Sequence, residues 1–218
     1  MKFFFILILT LFFIQLSQGQ TGRTGLELGI GFPNFFENAE VSGERTQTSI
    51  SSWAISFSGV RFFSDTIGLG IYLNFMIPFN INETINERTI SYTRSDYNIL
   101  LGTDILLGPV FIIYRNGNFL IPVSIGPHIM IISREYKTDV HVFLNLPIQG
   151  NFTCLGIGAN VTGELHLNNR VYLYGRIQLT MDFYALRIIQ EGSSSVTDNS
   201  GTINFGVNPS LGIAVRFR

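Results

Sequence analysis

From Leu26 almost to the C-terminus, large apolar residues recur at every second position, with small or polar residues between them. A β-strand turns alternate side chains to opposite faces, so a period of two describes strands with one apolar face and one that is not. Over 66–81 the odd positions read Ile67, Leu69, Ile71, Leu73, Phe75, Ile77, Phe79 and Ile81. The even positions read Thr66, Gly68, Gly70, Tyr72, Asn74, Met76, Pro78 and Asn80. That run is long for a soluble strand.

Eight alternating stretches can be placed, at 24–33, 49–63, 66–81, 96–114, 119–136, 152–167, 170–190 and 203–218. Short turns at Ser64-Asp65, at 115–118 with Asn116-Gly117, and at 167–170 with Asn168-Asn169 join some neighbours as hairpins. Long polar connections at 34–48, 82–95, 137–151 and 191–202 join the others. An even strand number, with long loops at one end and short turns at the other, predicts an all-β fold: an eight-stranded antiparallel up-and-down transmembrane β-barrel.

A soluble, lipocalin-like ligand carrier would alternate too, with its apolar face inward. Composition separates the two. Charged residues make up 13% of the chain, Lys2 and Lys137 are the only lysines, and mean hydropathy is +0.31. The polar face is mostly Gly, Ser, Asn, Thr and Tyr, which suits a narrow filled lumen better than a wet exterior. Aromatic residues fall in two groups: Phe32, Trp53, Phe79, Tyr97, Phe183 and Phe205 near the long-loop ends, Phe63, Phe111, Phe119 and Phe217 near the short-turn ends. Two such belts match the two interfaces of a bilayer. A net charge of -1 leaves no basic stripe for nucleic acid.

Residues 1–19 combine Lys2, an apolar run over 3–14, and small residues at Ser17 and Gly19. They read as a cleaved signal peptide, leaving 20–218 as one barrel domain. Cys154 is the only cysteine, so no intramolecular disulfide can form.

On these features the chain resembles the small eight-stranded outer-membrane proteins of bacteria, of the OmpX, OmpA-domain and OmpW type. Leu211, Ile213, Val215 and Phe217 alternate along the last strand and look like the C-terminal signal read by the barrel assembly machinery. The family pattern usually ends on the aromatic residue, whereas here Arg218 follows it. The resemblance implies a bacterial outer-membrane location, both termini periplasmic, outer-membrane lipids as surroundings, and long loops able to meet a host or surface ligand.

Parity sends Glu27, Asp104, His128, Glu164, Arg176 and Asp182 to the inner face, where buried charges need partners. Pairing Ile113 with Phe119 sets Asp104 opposite His128. Pairing Leu167 with Val171 sets Arg176 beside Thr162 and diagonal to Glu164, and the resemblance to OmpA-type interiors picks Glu164 with Arg176 as the ion pair. Leu100, Leu106, Val110, Ile112, Leu120, Met130 and Ile132 form a less polar inner patch. Core filling explains it; in OmpW-like proteins an apolar lumen accompanies passage of small hydrophobic molecules. Loop residues Val142, Phe143, Leu144 and Leu146 are unusually apolar for an exposed connection. His128, His141 and His166 lie in no catalytic or metal-ligating pattern, so the expectation is a protein without chemistry, cofactor or metal that anchors and displays surface loops. A channel for small hydrophobic molecules is the alternative.

Overall fold

A computed structural model describes residues 23–41, 44–85, 88–137, 149–191, 194–200 and 203–217. Eleven strands occur there: β1 Arg23–Gly31, β2 Asn34–Val41, β3 Glu44–Phe62, β4 Ile67–Ile85, β5 Arg88–Thr93, β6 Tyr97–Asn116, β7 Phe119–Tyr136, β8 Gln149–His166, β9 Val171–Glu191, β10 Ser194–Ser200 and β11 Asn204–Phe217. Three pairs continue one another. β2 follows β1 after Phe32 and Pro33, β6 follows β5 after a short turn of 3-10 helix at Arg94–Asp96, and β11 follows β10. The eleven strands therefore make eight staves, all antiparallel. β1 pairs with β3 on one side and β11 on the other, which closes the sheet into a barrel.

Walking along the register from Glu27 through Ser58, Tyr72, Leu106, His128, Gly156 and Asp182 leads to Asn204. That residue lies beside the first stave about ten residues above the start. This stagger tilts the staves and brings side chains from distant parts of the sequence to one height.

Outward residues are exposed and apolar on every stave, among them Leu28, Trp53, Ile77, Leu107, Ile125, Ile157, Leu179 and Leu211. Inward residues are buried, most of them small, polar or aromatic, with aliphatic side chains such as Leu100, Leu106 and Ile132 among them. Phe32, Trp53 and Phe79 form one outward aromatic arc, with ring centroids 4.4 and 6.1 Å apart. Phe63, Phe111, Phe119 and Phe217 ring the opposite end.

Three of the four long connections are not loops. Residues 34–41 with 44–51, 80–85 with 88–93, and 185–191 with 194–200 extend the hairpins beyond the Trp53 belt. β3, β4 and β9 run 19, 19 and 21 residues, about twice what a tilted strand needs to cross a bilayer. Outside the hydrocarbon the outer face of a hairpin meets water while Phe35 and Tyr92 turn to the lumen, so no apolar row marks the outside of these strands. Thr, Ile and Val still favour the extended backbone there. Val142, Phe143, Leu144, Leu146 and His141 lie outside the described residues, as does the segment 1–22.

Bulges break the inside-outside phase at four places. Phe79 on β4 is an extra residue between the partners of Ser51 and Ser52, so Ile81 turns into the lumen and is 1% exposed instead of continuing the outward row. Asn98 does the same on β6. Tyr97, placed by parity in the outer belt, is instead 2% exposed inside the barrel. Ile113 is extra near the other end of β6. Phe183 is extra on β9, so Phe183 and Tyr184 both face outward and Ala185 faces in.

The β6–β7 hairpin is tighter than expected. Asn116 pairs with Phe119 across a two-residue turn in which Gly117 holds φ +53°, a left-handed conformation suited to glycine. Asp104 consequently lies opposite Met130, and His128 opposite Leu106, two residues from the predicted register.

Candidate functional site: a tiered polar plug in the lumen

Glu27, Asp104, His128, Glu164, Arg176 and Asp182 are all buried inside the barrel, each 5% exposed or less. They fall into three tiers. In the middle of the lumen His128 bridges two carboxylates, with Nε2 2.8 Å from Asp104 Oδ1 and Nδ1 2.7 Å from Asp182 Oδ1. The Asp104 contact survives the register offset because the imidazole reaches diagonally across the β6–β7 pair. Both ring nitrogens thus lie within hydrogen-bond distance of a carboxylate oxygen. Gln178 Nε2 donates to both oxygens of Asp104, at 2.9 and 2.8 Å, and Asn74 Nδ2 donates to Gln178 Oε1 at 3.2 Å. The Ser56 hydroxyl donates to Asn74 Oδ1 at 2.6 Å.

One tier closer to the short turns, Arg176 pairs with Glu27, not with Glu164. Its Nε donates to Thr162 Oγ1 at 3.0 Å and its Nη1 to Ser58 Oγ at 3.1 Å. The guanidinium lies between the rings of Tyr72 and Tyr174, 4.5 and 4.9 Å from their centroids. Glu27 also accepts from the Ser58 hydroxyl and, at 3.1 Å, from the Tyr172 hydroxyl. The third tier pairs Glu164 with Arg216 and with His166 Nε2 at 3.2 Å. Arg216 is held between Phe62 and Tyr172, and His166 stacks on the other side of Tyr172, 5.0 Å between centroids.

Sequence reasoning stopped at hairpin neighbours. It missed that Arg216, on the last stave, takes Glu164, and that Glu27, on the first, takes Arg176. An arginine at an inward parity position in β11 was the available signal for the first of these.

Above the middle tier the lumen is mostly apolar, with Glu37, Thr48 and Asn204 also buried there. Leu100, Met130 and Ile132 pack there with Phe35, Ile50, Ala54, Met76, Ile81, Phe152 and Ala185. Leu106, Val110 and Ile112 belong instead to a lower cluster with Val60, Phe62 and Tyr72, and Leu120 is buried apart from both. The inner patch is thus divided by the polar tier. Tyr92, Tyr97 and Tyr136 cluster at the top with ring centroids 4.6 to 6.3 Å apart, Tyr92 edge to face with the other two and Tyr97 tilted against Tyr136. Burial there pushes the Tyr92 hydroxyl well above its ordinary range. Arg134 Nη1 meets Glu83 Oε1 at 2.7 Å beside this cluster.

One part of the wall is less well bonded. Pro33 and Pro209 carry no amide hydrogen, so on that stretch the ladder keeps Phe32 N to Pro209 O and Ser52 N to Pro33 O, both 2.9 Å, without the reciprocal bonds. A water-sized space behind it is lined by Pro33, Asn208, His128, Met130 and Gln178. An apolar groove on the outer surface, between Ile125, Ile157, Leu179 and Phe205, shares Thr180, Gly206 and Val207 with that space.

Eight closed staves, apolar toward the outside and carrying their charges within, define a transmembrane β-barrel. Its fold is that of the small outer-membrane β-barrel proteins. Among solved structures it is similar to OprG from Pseudomonas aeruginosa, with a TM-score of 0.66 at 10% identity over 91% of this chain and 97% of that one. It is also similar to the outer membrane protein AlkL (0.60, 13% identity, 93% of each chain). A third is a major outer membrane protein of Thermus thermophilus (0.54, 15% identity, 91% of this chain and all of that one). No protein-family model and no curated protein matches the sequence.

Proposed function

We propose that this protein is a sealed bacterial outer-membrane anchor that displays its extended hairpins at the cell surface. In this reading residues 1–19 are removed on export and both termini face the periplasm. Leu211, Ile213, Val215 and Phe217, which lie on the outward face of β11, engage the assembly machinery. The observation that carries the reading is the plug: paired charges and aromatic rings occupy the lumen at three heights. Material is invested instead in the hairpins above the belt, where a host or surface ligand would be met. No residue in this reading performs chemistry. The test is flux through vesicles carrying the full protein. Ion conductance and solute uptake should match empty vesicles, while replacing the tips of the β2–β3, β4–β5 and β9–β10 hairpins by short turns should abolish adhesion to cells or matrix.

The mostly apolar upper lumen beside the Pro33–Pro209 stretch favours a second reading, passage of small hydrophobic molecules. Under it, filling the upper chamber with Ala54→Phe or Ala185→Phe blocks uptake of an apolar dye and leaves surface adhesion intact.

A further inference from the structure

The two ends of the barrel carry different charge. At the short-turn end, Arg23, Arg115 and Arg170 are exposed and Arg61 partly so, while Asp65 is the one exposed carboxylate there among the described residues. The arginines follow one another around the rim. Arg115, at the end of β6, donates to the backbone carbonyl of Asp65 in the β3–β4 turn at 2.8 Å. Arg61 on β3 lies opposite Thr24, next to Arg23 on β1, and the carbonyl of Arg170 in the β8–β9 turn accepts from the Arg216 amide on β11. The arc spans β6, β4, β3, β1, β11 and β9. At the other end both signs are mixed: Arg134 pairs with Glu83, Arg94 donates to the Tyr97 carbonyl, Glu135 accepts from Asn98, and exposed Lys137 bonds Asp96 through the backbone.

The arc also sits against the apolar band. Phe63, Phe111, Phe217 and Tyr114 are exposed on the same rim. Guanidinium groups just beyond aromatic rings lie at the depth of lipid phosphates, and their forked donors match phosphate oxygens. We infer that this rim is a binding surface for the headgroups of anionic phospholipids in the leaflet at the short-turn end. The inference rests on the membrane-spanning reading above, with the lipid face already fixed by the barrel exterior.

The test folds the full chain into phosphatidylcholine vesicles with and without a minor fraction of phosphatidylglycerol, extracts it in mild detergent, and counts retained lipid by native mass spectrometry. Phosphatidylglycerol should be enriched over phosphatidylcholine at low salt, and high salt should erase the enrichment. Neutralising Arg61, Arg115 and Arg170 together to Gln should lower the enrichment by about tenfold or more, while R94Q with K137Q leaves it unchanged. Heat-modifiable gel migration reports folding of each variant. Equal retention of both lipids, enrichment that survives high salt, or an R94Q/K137Q effect as large as that of the rim variant overturns the inference. A wild-type chain that inserts into neither vesicle overturns the barrel reading beneath it.

Discussion

Arg176→Met withdraws one charge from a pair enclosed in the lumen. The substitution keeps an unbranched side chain of similar reach, but Glu27, 4% exposed, retains only the Ser58 and Tyr172 hydroxyls as donors. Leaving one member of a buried pair without its partner costs about 3–5 kcal/mol. Loss of the ring contacts with Tyr72 and Tyr174 adds about 1 kcal/mol. With a urea dependence of about 2–3 kcal/mol per molar, the unfolding midpoint falls by about 1.3–3 M. Trp53 is the only tryptophan and lies on the lipid face, so its emission follows the passage from hydrocarbon to water in vesicle-bound protein. Adding Glu27→Gln to Arg176→Met removes the orphaned charge and restores most of the loss. Adding Glu164→Gln restores none, because Glu164 answers to Arg216. A midpoint shift below about 0.5 M, or equal rescue by the two glutamate substitutions, refutes the pairing.

Other consequences can be measured in the same way. His128→Phe leaves Asp104 and Asp182 facing an apolar ring and destabilises by about 3 kcal/mol, and adding Asp182→Asn recovers part of this in urea titrations. A methyl group at Gly108 would run into the Ile125 carbonyl of the next stave, whereas one at Gly175 would meet nothing within 4 Å. Gly108→Ala therefore lowers stability by about 1–3 kcal/mol, and Gly175→Ala leaves the midpoint unchanged. In a Cys154→Ala background, a lipid-phase thiol reagent labels Ile77→Cys and spares Ile81→Cys. Labelling of both would place Ile81 outside the wall.

The membrane-crossing part of the fold was legible because a bilayer enforces alternation where it touches the chain. Leu69, Ile71, Leu73 and their counterparts announce the lipid face, and Asn116-Gly117 announces a hairpin. The strands above the belt were invisible, since water on the outer side of residues such as Thr84 and Thr89, which share a 2.9 Å hydroxyl contact, imposes no apolar period. Bulges were equally silent: one added residue at Phe79 or Phe183 reverses every later side chain, yet neighbouring apolar residues such as Phe183 and Tyr184 read as ordinary strand. The inward charges could be found by parity, but not their partners. A spacing argument sees adjacent staves, whereas the barrel's stagger lifts Glu27 to the height of Arg176, 149 positions away.

Closure falls to the staves that are farthest apart in the chain. Leu26, Leu28 and Ile30 of β1 find Val215, Ile213 and Leu211 of β11, so until the final hairpin is in place the growing sheet presents two raw edges and an oily outer surface to its surroundings. Backbone groups at such edges cannot rest in hydrocarbon. Insertion must then be nearly simultaneous with the meeting of first and last staves, and a chain stalled before β11 should be a substrate for envelope proteases instead of a smaller membrane protein.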